Sequence, residues 1–114
     1  MNGELITKVF EARNASHIKH WKTESYAEHE ALGEFYDNVI DILDKYMEAH
    51  IAAFETVDDI PEDAKDVKKL LKENMLWLNK NREKLAGNVP ALENILDELS
   101  GQYLSTLFKL ERLR

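Results

Sequence analysis

His20 with Trp21, then His29, then Asp44 and Glu48 supply two imidazoles and two carboxylates at spacings that set them along two long helices. Neutral imidazole nitrogen and carboxylate oxygen together suit a divalent cation such as iron, zinc or manganese. The chemistry these residue types could do is therefore metal binding inside a helical bundle. Further polar groups gather near them. The apolar stripe of the first helix runs Leu5, Ile6, Val9, Phe10 and then continues as Arg13, Ser16, His17 and His20, where a bundle core expects leucine. Burying such groups without partners costs on the order of 1–3 kcal/mol each, so something must satisfy them.

On the second helix, at 100° per residue, His29 borders the apolar stripe while Asp37, Asp44 and Glu48 lie progressively farther round its edge. His17 reads either as an edge residue or as a group orienting His20 or a carboxylate from behind. Arg13 between histidines offers a site for an anion, or for a carboxylate of its own chain. Asp37 and Asp41 read more simply as solvated charges, His50 as a core histidine within the stripe, and Trp21 and Trp77 as packing residues with an indole N–H at the rim.

These side chains need long helices to carry them, and the start and stop signals supply four, at about 3–22, 26–54, 63–86 and 89–113. Ser25-Tyr-Ala-Glu28 and Asp59-Ile-Pro-Glu62 have the spacing of capping boxes, and Asn88 ahead of Val89-Pro90 is a third start. Gly87 suits a left-handed cap closing the helix before it. Helix two carries Leu32, Phe35, Tyr36, Val39, Ile40, Leu43, Tyr46 and Met47 at helical period, and helix three Val67, Leu70, Leu71, Met75, Leu78 and Leu85. In helix four, Leu92, Leu96, Leu99, Tyr103, Leu107 and Leu110 step by three and four, as in a coiled coil.

Short turns near Lys22 to Glu24 and at Gly87 make two antiparallel hairpins. The connection from Glu55 to Glu62 is too short to cross a second helix of roughly 43 Å at 1.5 Å per residue. The expected fold is all-α, a single antiparallel up-down-up-down four-helix bundle.

Composition narrows the function. A chain of 114 residues is one domain's worth, small enough to gain from oligomer contacts. It has no cysteine, which excludes disulfides and thiolate metal sites. No apolar run reaches membrane-spanning length and the N-terminus lacks a signal-peptide pattern, so a soluble, cytoplasmic protein with no membrane partner is the default expectation. The net charge of −7 is segregated: residues 24–55 hold nine acidic side chains against Lys45 alone, whereas 67–87 are net basic. An acidic face concentrates cations and repels phosphate backbones, and no lysine-rich tail offsets it, so DNA binding is not expected.

The stretch from His17 to Glu48 resembles the ferroxidase segment of the Dps miniferritins, a branch of the ferritin-like proteins. His20-Trp21, His29-Glu30, Asp44 and Glu48 match its motif as they stand, and a weaker likeness continues through the third and fourth helices. Short chains of this kind also resemble phage and other viral proteins. The resemblance implies a ferritin-like bundle in a homo-oligomer, a dimer or a larger hollow shell. It also implies a site in which His20 and His29 of one subunit face Asp44 and Glu48 of another, oxidising and storing ferrous iron. Three features depart from the family: Gly33 stands where it has a carboxylate, the turn between the first two helices is three residues shorter, and the 56–63 connection lacks the family's short helix. The glutamate–histidine pair three apart of ordinary ferritins does not occur.

Two functions of different class follow. The first is a miniferritin-like iron oxidase and store with His20, His29, Asp44 and Glu48 as ligands and Arg13, His17, Trp21 and Asp37 around them. The second is a metal-free oligomeric helical binding protein that uses the acidic helix and the pocket around Arg13, His17 and His20. A third, treating Glu34/Asp37 and Asp41/Asp44 as magnesium ligands of a nucleotide pyrophosphohydrolase, rests on acidic pairs common on any solvated helix.

Overall fold

A computed structural model describes residues 2–55 and 66–112. All regular structure among them is helical: α1 Asn2–Lys22, α2 Tyr26–Phe54, α3 Val67–Ala86 and α4 Pro90–Arg112. No helix among the described residues is long and apolar enough to cross a membrane. The chain divides into two compact units, with α1 and α2 in the first and α3 and α4 in the second.

The ends of the helices follow local chemistry. Ser25 sits in extended backbone and its hydroxyl accepts from the Glu28 amide at 3.2 Å, the expected N-cap of α2. Gly87 takes φ 56°, and its N–H reaches the Glu83 carbonyl at 3.0 Å, closing α3 as expected. Asn88 differs from its expected role. It is a second left-handed residue, φ 65°, and the Val89 carbonyl receives the first amides of α4, from Leu92 and Glu93. Asp66 caps α3, its carboxylate accepting from the Lys69 amide at 3.2 Å. The box expected at Asp59–Glu62, like the rest of the 56–65 segment, lies outside the described residues.

In the first unit the helices run antiparallel. Asn2 meets both Tyr46 and His50, and His20 meets His29, so cross-helix partners draw together in sequence toward the turn. Ile6 and Leu43 are buried on this seam, flanked by half-buried Val9, Arg13 and Ser16 on α1 and by Tyr36, Ile40 and Met47 on α2. Each set steps by three and four, the antiparallel coiled-coil pattern.

The second unit repeats the arrangement. Leu78 and Ala86 of α3 and Leu107 of α4 are buried, and Asn79 pairs with Ser100 at 2.8 Å. The Arg82 fork grips Asp97 through Nε at 2.6 Å and a terminal nitrogen at 2.9 Å, with Glu93 3.3 Å from the other. This grip holds the Asp97 carboxyl below its ordinary value.

The seam of α4 differs from expectation. Leu96, Tyr103 and Leu107 face α3, but Leu92, Leu99 and Leu110 are exposed. Neither helix of a two-helix hairpin can cover a stripe lying about 100° round from the seam. The same holds for Phe35, Ile42 and Tyr46 on α2, for Val67, Leu70 and Trp77 on α3, and for Leu5 and Phe10 on α1.

Candidate functional site

The turn of three residues between α1 and α2 brings the end of one helix beside the start of the next. The Thr23 amide still bonds the Lys19 carbonyl at 2.8 Å, and Ser25 begins the capping of α2 two residues later. That closeness decides what the histidines do. The His20 ring donates from Nδ1 to the carbonyl of His29 at 2.7 Å, and His29 donates from Nδ1 to the carbonyl of His20 at 2.8 Å. A carbonyl only accepts, so both imidazoles carry their proton on Nδ1. The two rings stack face to face, centroids 3.6 Å apart and 18° from parallel.

This exchange has a reason in helix physics. The last carbonyls of α1 have no partner further along the helix, and His20 contributes one of them. The His29 side chain satisfies it, so that imidazole caps the C-terminus of α1. In return His20 takes the second lone pair of a carbonyl inside α2. Each Nε2 is left with no protein partner among the described residues. A ring fixed through Nδ1 with Nε2 open is also how metal-ligating histidines are oriented.

Gly33 explains how the rings fit. A Cβ placed on it would stand 3.1 Å from His20 Cε1 and 3.3 Å from His20 Nδ1. The glycine that sequence reading counts as a missing carboxylate is thus the space into which the His20 ring settles. A side chain at 33 fits beside His20 in this rotamer only if the ring gives by a few tenths of an ångström.

Around the pair, His17 stacks on Tyr36 at 3.7 Å and 12°, and Trp21 tilts against His17 at 4.4 Å. Tyr36 meets the edge of the His20 ring at 5.2 Å. Tyr36 was legible only as a core aromatic, yet it joins the two pairs of rings. Trp21 departs from the expectation of a packed residue with an exposed rim: it is 70% exposed, and Trp77 is 60%. Arg13 is half-buried on the seam, and its guanidinium bonds Asn14 Oδ1 at 3.1 Å rather than an imidazole.

An open cleft runs beside the stacked pair, lined by His20, His29, Gly33, Glu30, Glu34 and Asp37. Asp37 therefore lines the same cleft as the two histidines. Asp44 and Glu48 are exposed and lie fifteen and nineteen residues beyond His29 on the same helix, roughly 22 and 28 Å away along its axis. A single chain does not assemble the four expected donors, and no group of three or more side chains among the described residues is placed to hold a metal ion.

At the far end of the hairpin His50 lies half-buried on the seam. Its Nε2 is 3.2 Å from the Asn2 amide nitrogen, and its Nδ1 is buried without a partner among the described residues. The Tyr46 hydroxyl donates to Asn2 Oδ1 at 2.9 Å, and His50 tilts against Phe54 at 4.7 Å. This cluster pins the start of α1 to the end of α2.

No curated protein and no solved structure matches the sequence. One family model does, over residues 20–110, a span that takes in both stacked histidines, Gly33 and all of α2, α3 and most of α4. The chain belongs to the Family of unknown function (DUF5856).

Proposed function

We infer that this protein is an oligomeric helical interaction protein, whose hairpins close their uncovered apolar stripes into a ferritin-like, up-down-up-down four-helix bundle and then against further copies. One observation carries the reading: large apolar side chains that their own hairpin leaves exposed fall on second stripes beside each seam. Phe35, Ile42 and Tyr46 continue one on α2, Val67, Leu70 and Trp77 one on α3, and Leu92, Leu99 and Leu110 one on α4. A monomeric protein rarely leaves contiguous apolar surface of this kind in water, and helices bury such stripes against other helices. The acidic face of α2 argues against a nucleic-acid partner. A cytoplasmic location goes with the same reading.

The test is the full-length chain under hydrogen exchange and light scattering, beside the Ile42→Asp and Leu99→Asp variants. The expected result is a particle heavier than one chain, with the amides of α2 and α4 protected, and loss of both properties in the variants. A wild-type chain that exchanges freely and scatters as a monomer sinks the reading.

A second reading, the miniferritin one, has its own support: both imidazoles keep Nε2 open while Nδ1 is fixed, and oxygen donors line the adjoining cleft. Ferrous iron would be its substrate, with Asp44 and Glu48 of a neighbouring protomer completing the ligands, and zinc or manganese as alternative ions. Ferrous iron mixed with peroxide should turn ferric faster than in buffer, and His29→Ala should abolish the difference. Equal rates for wild type, variant and buffer would remove it.

A further inference from the structure

Beside its seam with α3, helix α4 carries another apolar stripe that the seam does not use. Leu104 is 61% and Phe108 59% exposed, and Gly101 precedes them on the same stripe, at positions i, i+3 and i+7. The stripe is displaced by one residue from Ser100, Tyr103 and Leu107, which face α3, and lies on the opposite side from Leu92, Leu99 and Leu110.

Gly101 calls for a reason of its own. Glycine in a helix interior is poorly favoured. Here a Cβ would meet nothing within 4 Å, so no close approach within the chain requires the glycine. It leaves a hollow on the surface of α4, one helical heptad from an exposed phenylalanine.

We propose that this stripe is the contact for α4 of a second copy, packed antiparallel across a two-fold axis between Leu104 and Ser105. The proposal rests on the oligomeric reading above and names its surface. The arrangement is self-complementary, as a two-fold interface must be: Phe108 of each copy enters the hollow over Gly101 of the other, and the two Leu104 side chains meet near the axis. Charge agrees with that direction. Glu98, Ser105 and Arg112 flank the stripe at seven-residue intervals, with Lys109 beside them, so antiparallel pairing sets Glu98 of each copy against Arg112 of the other. On the other flank the negative charge of Asp97 is already held by Arg82. The helix dipoles also oppose favourably, with Glu93 in the first turn of α4 and Lys109 and Arg112 in the last.

Sedimentation equilibrium of the full-length chain over a range of concentrations is the test, with far-ultraviolet circular dichroism as a check on folding. Gly101→Leu fills the hollow, and it should weaken association about tenfold or more while leaving helicity in dilute solution equal or higher. A residue with a merely structural role would not move these two readouts in opposite directions. Glu98→Arg should weaken association roughly severalfold, and adding Arg112→Glu should restore it. A wild type that associates while all three variants match it overturns this contact and leaves the assembly reading standing. A wild type that stays monomeric at every concentration overturns both.

Discussion

Replacing Gly33 by alanine isolates what the stacked histidines require. In an open helix interior this change stabilises by about 0.5–1 kcal/mol, because alanine loses less backbone freedom on folding. At Gly33 the new methyl stands 3.1 Å from His20 Cε1 and 3.3 Å from Nδ1, a few tenths of an ångström inside ordinary contact. The ring has little room to withdraw. His29 stacks on it at 3.6 Å, and its Nδ1 is tied to the His29 carbonyl at 2.7 Å. Relieving the clash stretches or breaks that hydrogen bond, a loss of about 0.5–1.5 kcal/mol. The two effects are of similar size and opposite sign, so Gly33→Ala should be neutral to about 1 kcal/mol destabilising in the wild-type background. With His20→Ala already present the obstacle is gone, and the same substitution should yield its full gain. A coupling of roughly 1 kcal/mol between the two positions is therefore expected from urea unfolding of the four proteins. Gly33→Ala stabilising both backgrounds equally would refute the view that the glycine exists to seat His20. Gly33→Glu, which restores the carboxylate of the miniferritin motif, should cost more, about 1–3 kcal/mol, because the longer side chain forces His20 out of its rotamer.

Acid should weaken the α3–α4 hairpin in a defined direction. The Arg82 fork holds the Asp97 carboxyl below its ordinary value of 3.8, so its contribution is fully present above that value and is lost as pH falls through the lower folded one. The stability difference between wild type and Asp97→Asn, measured by denaturant titration, should shrink as pH drops below 4; a difference that stays constant contradicts this. Glu55 closes α2 in a left-handed conformation, φ 52°, with its N–H on the Ile51 carbonyl at 2.7 Å. Only glycine adopts that conformation freely, so Glu55→Gly should stabilise by about 1 kcal/mol and raise the melting temperature by roughly 4–8 °C, read in a thermal scan. An unchanged or lower melting temperature goes against it.

The candidate site was legible in part. His20 and His29 were singled out by residue type and by angular position, and both come to the same end of the same hairpin. What they do there was not legible, because it depends on a carbonyl left over at the end of α1 and on the empty volume at Gly33. Asp44 and Glu48 share a side of α2 with the acidic cleft residues but sit several turns away from the histidines. Angular spacing records the side and says nothing of what another molecule brings. The aromatic chain through Tyr36 is not legible in the sequence, since a tyrosine on an apolar stripe carries no signal beyond packing.

Helix boundaries were fixed by the amino-acid order itself, as Ser25 at one turn and Gly87 at another illustrate. Caps, left-handed residues and steps of three and four act within one or two helical turns, so the local chain contains all the information they need. Which stripe of a helix meets its neighbour, and which way an imidazole turns, was decided only when two helices met. Helix four offers apolar side chains over more than half its circumference, and periodicity alone groups Leu92, Leu96, Leu99, Tyr103, Leu107 and Leu110 as one seam. Packing on α3 turned only Leu96, Tyr103 and Leu107 of these inward, because a single partner helix covers one stripe, and the Arg82–Asp97 and Asn79–Ser100 pairs lie along that contact.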